Sequence, residues 1–133
     1  MSDRSVEIRS VLERYAAAWT SGDLKEIFAC YHDDFALHYF GRNEFSGDHL
    51  GKAASLKALA EISRRTRRRL VKIVDILAGA DRGVLIAREM VTHQGKDIEI
   101  ERLFLYRVAD GLLRECWLYD QDQRLIDEIV GPP

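Results

Sequence analysis

The chain has 133 residues, 47% of them apolar, with 20 Lys plus Arg against 22 Asp plus Glu and a formal net charge of −2. That composition is too apolar for a disordered chain and too evenly charged for a histone-like nucleic-acid coat. The length predicts one domain over residues 1–133, and no apolar run reaches the roughly 20 residues of a membrane-spanning helix. Ser2 to Glu7 is polar and mixed in charge, which does not match a signal peptide. The two cysteines, Cys30 and Cys116, form no CxxC pair, so reduced thiols and a cytoplasmic location are the expectation.

The first half reads as helices. Ile8, Val11, Leu12, Tyr15, Ala16 and Trp19 recur at helical spacing and form one apolar face. Ser21-Gly22 ends that helix, with Gly22 suited to a left-handed cap. Asp23 caps a second helix, with Glu26 at capping-box spacing and Leu24, Ile27, Phe28 and Tyr31 as its expected buried face. Asp33-Asp34 is expected to close it. Phe35 to Phe40 reads as a strand, Gly41 to Gly51 as a polar loop, and Lys52 to Ile62 as a third helix on Ala53, Leu56, Leu59 and Ala60.

The second half reads as strands. Leu70 to Leu77, Val84 to His93, Lys96 to Val108 and Leu112 to Tyr119 are separated by turn signals at 78–83, Gln94-Gly95 and Ala109-Asp110-Gly111. Leu125, Ile126, Ile129 and Val130 suggest a short closing helix. Helices followed by a run of antiparallel strands predict an α+β fold, with three N-terminal helices packed on one face of a curved sheet.

Several stretches in this order carry a family resemblance: Val11-Leu12-Glu13-Arg14-Tyr15, Trp19, Ser21-Gly22-Asp23-Leu24, Tyr31-His32-Asp33-Asp34-Phe35, and Glu115-Cys116-Trp117-Leu118-Tyr119-Asp120. Together they resemble the nuclear transport factor 2-like superfamily, which holds ketosteroid isomerases and SnoaL-like cyclases. The resemblance implies a cone-shaped α+β barrel, a deep pocket for a small apolar molecule, and a homodimer formed through the outer sheet face. Tyr15 aligns with the isomerases' oxyanion donor, but Tyr39 stands at their catalytic base, and a tyrosine near pKa 10 is a poor base at neutral pH. No acid occupies Arg102 to Phe104, where their second aspartate falls. The cyclases place an acid directly after the last-strand tryptophan, where this chain has Leu118. The Asp-Arg-Asp set of limonene-type epoxide hydrolases is matched in part, by Arg102 with Glu89 and Asp120.

Strand alternation tests the same residues independently. A two-residue turn at Gln94-Gly95 pairs His93 with Lys96, Val91 with Ile98, Glu89 with Ile100 and Ala87 with Arg102. One face then carries Leu85, Ala87, Glu89, Val91 and His93, with Ile98, Ile100, Arg102, Phe104 and Tyr106 across from them. Glu89 and Arg102 become diagonal neighbours. They read either as an acid–base group with its orienting arginine or as a structural ion pair.

Tyr15 and Trp19 are core residues or pocket wall. Tyr39, Trp117 and Tyr119 read the same way, and Trp117 and Tyr119 share a strand face. Asp120 is a site acid or the cap of the last helix. His32, His38, His49 and His93 show no metal-ligand spacing, so no metal is expected. Arg64-Arg65-Thr66-Arg67-Arg68-Arg69 holds five arginines in six positions. It reads as a solvated or acid-paired run, and nucleic acid is not the expected partner. No P-loop, GxGxxG or Gly-x-Ser-x-Gly is present. The expected function is that of a soluble small-molecule-binding domain without a cofactor. Its chemistry would be acid–base work on an apolar carbonyl or epoxide compound by Glu89, Arg102 and Tyr15, with Trp19, Tyr39, Phe104, Tyr106, Trp117, Tyr119 and Asp120 around the ligand. The alternative is a non-catalytic binding or dimerisation module.

Overall fold

The computed structural model describes residues 2–133; Met1, at the head of the polar opening stretch, lies outside the described residues. The elements run α1 (Asp3–Ser21), α2 (Leu24–Ala29), β1 (Tyr31–Tyr39), β2 (Gly47–Leu50), α3 (Lys52–Thr66), β3 (Arg69–Ala78), β4 (Arg82–His93), β5 (Lys96–Ala109), β6 (Leu112–Asp120) and α4 (Gln123–Val130). The strands form one curved sheet in the order β2-β1-β6-β5-β4-β3. Every pairing is antiparallel except β1 with β6, which is parallel. The sheet curls into a cone around an apolar core, with α1 across β3 and β4 and α3 against β1. This is the α+β architecture expected from the element order.

Local chemistry explains the boundaries. Ser2 caps α1 by accepting the Ser5 N–H, and Gly22 ends it at φ 71°. Asp23 caps α2 by accepting the Glu26 N–H. The Glu26 carboxylate does not close a capping box; it pairs with Arg14 at 2.5 Å instead. Gln94-Gly95 and Asp110-Gly111 have positive φ at both positions, which matches the right-handed strand twist. Gly83 lets α1 approach β4: a Cβ there would lie 2.6 Å from Ile8 Cγ2 and 2.7 Å from Leu12 Cδ1.

Four local expectations are corrected. The six-residue α2 buries none of its side chains, so Leu24 (78% exposed) and Phe28 (57%) face outward, and Tyr31 belongs to β1. Asp33 and Asp34 lie within β1 instead of ending α2. The loop at 41–51 contains β2, which pairs with β1 through backbone bonds that side-chain periodicity does not register. α3 runs on to Thr66 and buries Ser55, Ala58, Ile62 and Thr66, one step round from the expected stripe. The shift arises because Ser55 Oγ donates to the carbonyls of Phe35 and His49, pulling its own face inward.

Candidate functional site at the mouth of the cone

The β4–β5 hairpin has the register that alternation predicts, including Glu89 opposite Ile100 and Ala87 opposite Arg102. Its inner face is the one carrying Leu85, Ala87, Glu89, Val91, Ile100, Arg102, Phe104 and Tyr106, all buried. On β6 the inward residues are Cys116, Leu118 and Asp120. Trp117 and Tyr119 alternate outward, so neither lines the pocket. Trp117 stacks on His38 at 5.0 Å, and Tyr119 packs on Phe40 at 4.9 Å, both on the convex side of the sheet. Asp120 does not cap α4; Asp122 does, accepting the Leu125 N–H.

The inner face brings together a four-membered ion cluster. Arg102 Nη1 reaches Glu89 Oε2 at 3.4 Å, and its other edge meets Asp120, with Nη2 donating to Oδ2 at 3.2 Å and Nε 2.5 Å from Oδ1. Arg68 Nε donates to Glu89 Oε1 at 2.7 Å. Two guanidinium and two carboxylate groups thus balance one another. The side chains of Glu89 and Arg102 are wholly buried and that of Asp120 is 1% exposed. Burial pushes the Asp120 carboxyl above its ordinary pKa, against the pull of Arg102. Burial also works against the Arg102 charge, but Asp120, Glu89 and Tyr39 more than offset it. The Tyr39 hydroxyl is buried beside this cluster with no hydrogen-bond partner among the described residues, and burial pushes its pKa up to about 12.

A second polar group is built from tyrosines. Tyr31 OH donates to Tyr15 OH at 2.9 Å, and the Tyr106 ring lies 5.9 Å from that of Tyr15. Burial raises the pKa of all three phenols, so they are hydrogen-bond donors and not bases at neutral pH. Trp19 and Phe104 pack edge to face at 5.5 Å, between the tyrosines and the ion cluster.

The cone interior is nearly full. Its cavity, between Tyr15, Tyr31, Phe104, Tyr106 and Arg68, is about 20 Å³, which is room for one water. The usable space lies above it. A groove of about 470 Å³ opens between α1, α2 and α3, walled by Trp19, Leu24, Ile27, Phe28, Leu56 and Leu59, with Tyr15 and Arg68 at its floor. Its volume suits a small organic molecule. A larger groove of about 640 Å³ follows the other side of α3, but its arginines are already paired, Arg65 with Glu44 and Glu61, and Arg64 with Glu61.

Arg68 is the site residue that sequence reasoning missed. The arginine run is not one surface. Arg67 caps α3 in the left-handed conformation at φ 51°, and the chain turns there into β3. Arg69 pairs outward with Asp97 at 3.1 Å, while Arg68 turns inward to Glu89. The available signal was alternation: Arg68 shares the inward parity of Leu70, which is opposite Glu89. Among the described residues, no group of three or more His, Cys, Asp or Glu side chains is placed to hold a metal ion.

The SnoaL-like domain family matches residues 12–116. No curated protein matches the sequence. Among solved structures, Bal32a from a soil-derived mobile gene cassette is similar at 21% identity and TM-score 0.83, over 97% of this chain and 100% of that one. A protein with a cystatin-like fold from Xanthomonas campestris is similar at 22% identity and TM-score 0.82, over 92% and 96%. A nuclear transport factor 2-like protein from Burkholderia xenovorans LB400 is similar at 20% identity and TM-score 0.71, over 94% and 96%.

Proposed function

The chain belongs to the SnoaL-like domain family, and from that premise we propose that it binds a small, mostly apolar molecule in the groove between α1, α2 and α3 and performs acid–base chemistry on it without a cofactor. One observation carries this reading: the groove is walled mainly by apolar and aromatic side chains, with few polar groups among them, Tyr15, Tyr31, Ser63 and Arg68. Tyr15 donates a hydrogen bond to a carbonyl or epoxide oxygen of the ligand. Glu89, oriented by Arg102, is the acid–base group of this reading; its Oε1 accepts from Arg68 Nε, and Arg68 lines the groove. Trp19 contacts the ligand, and Phe104, which does not line the groove, packs edge to face against Trp19. Tyr106 packs against Tyr15, and Asp120 holds Arg102 from behind.

The test is thermal stability against ketosteroids, polyketide-like aromatics, terpene epoxides and hydroxy ketones. Saturation at 100 times the dissociation constant adds about 2.7 kcal/mol, several degrees in a domain of this size. One class is expected to raise the melting temperature, and Ser63→Phe, which fills the groove from α3, removes the effect. Glu89→Gln then abolishes turnover of that class. No shift with any class refutes a ligand of these classes, and full turnover in Glu89→Gln refutes the acid–base assignment alone.

We propose a homodimer on the same footing. The convex sheet face exposes Val71, Val74, Leu77, Leu103 and Tyr119, an apolar area that a second copy would cover. Light scattering is expected to give twice the chain mass, and a monomer at high micromolar concentration refutes it.

A further inference from the structure

We infer that the ligand is an anion: Arg68 is a carboxylate or enolate receptor at the floor of the groove, and it selects planar organic acids over their neutral counterparts. This rests on the groove being the binding site. Arg68 is the one charged residue among those lining the groove, and no acid lines it. Glu89 balances the Arg68 charge from below, so what Arg68 offers a ligand is the free edge of its guanidinium, not a net charge on the groove.

The guanidinium is held ready for a second partner. Its Nε donates to Glu89 Oε1 at 2.7 Å, and among the described residues no hydrogen bond uses Nη1 or Nη2. Four of the five N–H donors of an arginine are carried by those two nitrogens. The side chain is only 11% exposed, and neither nitrogen is sealed in the core, so both are open towards the groove. The Arg68 Cζ lies 5.3 Å from the Trp19 ring and 5.8 Å from the Phe104 ring. These rings fix the plane of the guanidinium and provide aromatic surface beside it. Glu89 is in turn held by Arg102, so the anchor is braced from the core. A fixed fork of paired N–H groups beside aromatic faces matches a planar acid, with the carboxylate on the fork and the ring system in the trough.

Lys52 adds a second positive group at the entrance. Its Nζ lies 4.1 Å above the Phe28 ring, and it donates to the Tyr31 carbonyl at 3.2 Å. Phe28 is exposed at the lip of the groove and Leu24 beside it, so an incoming acid meets an apolar rim and a cation together.

The experiment compares 2-naphthoate with 2-naphthamide, which has nearly the same shape and no charge, by titration calorimetry at pH 7.5. The wild-type protein is expected to bind the acid at least tenfold more tightly. Arg68→Gln, which keeps an N–H donor for Glu89, is expected to bring the two affinities within twofold. Arg68→Lys keeps the charge without the fork and is expected to lose most of the preference; it decides the matter where Arg68→Gln does not fold. Equal binding of both probes by the wild type overturns the inference and leaves the groove reading standing. A preference unchanged in Arg68→Lys also overturns it. Binding of neither probe at millimolar concentration, with no shift from the wider panel, overturns both.

Discussion

Arg102→Met isolates the central charge of the cone. Among the described residues Asp120 pairs with Arg102 alone, whereas Glu89 keeps Arg68 when Arg102 is removed. The substitution therefore strands one carboxylate whose side chain is 1% exposed. Removing one partner of a buried pair costs about 3–5 kcal/mol, a large part of the roughly 5–15 kcal/mol that stabilises a domain. For a chain of this length that corresponds to a fall of roughly 10–25 °C in melting temperature. The loss has a pH signature. Asp120 already has a raised pKa through burial, and without Arg102 it rises further. A carboxyl with a raised native pKa favours the folded state at low pH. That stability drains away as pH rises from about 4 through the native pKa. Urea midpoints at pH 4.5 and 8 should show a much smaller deficit at the lower pH. Arg102→Met combined with Asp120→Leu should recover most of the loss, because it removes both charges together. A deficit below about 1 kcal/mol, or one equal at both pH values, would refute the account of a dry, mutually dependent cluster.

Gly83→Ala is expected to destabilise by about 1–3 kcal/mol, because its methyl would press on Ile8 and Leu12 at the α1–β4 contact; an unchanged urea midpoint would show that α1 shifts freely on the sheet. His38 donates or accepts at both ring nitrogens, 2.6 Å from Asp48 and 2.5 Å from Glu115. Burial works against its charge, yet the two carboxylates hold its pKa above the ordinary value. The stability it contributes is full below about pH 6.5 and lost as pH rises through the native pKa. His38→Asn should flatten stability above pH 6.5, and an imidazole that titrates at or below 6.5 by nuclear magnetic resonance would contradict the clamp.

The parts of the fold legible in the sequence were those set by short-range rules. Gly22, Asp23 and the two hairpin turns each determine a local backbone shape, and the turn at Gln94-Gly95 fixes the register that brings Glu89 beside Arg102. What failed depended on partners far along the chain. Trp117 and Tyr119 have the bulk and apolarity of pocket residues, but β6 shifts register against β5 between Arg107 and Val108 and turns Cys116, Leu118 and Asp120 inward. Leu24 and Phe28 look like a buried helix face. They are exposed because a six-residue helix at the cone mouth has no layer above it. The arginine run concealed a change of element: its left-handed residue, Arg67, sends one neighbour to the surface and the other to the core.

The parallel pairing of β1 with β6 also governs how the chain folds. The β4–β5 hairpin can close through neighbours in sequence, but β1 finds its partner about 80 positions later. Closing so large a loop is slow relative to forming a helix or a hairpin. During synthesis the first third of the chain emerges with one edge of its strand open, and β2 can cover only the other edge. That open edge is the segment most exposed to pairing with a neighbouring chain, until the last strand leaves the ribosome and fills the place.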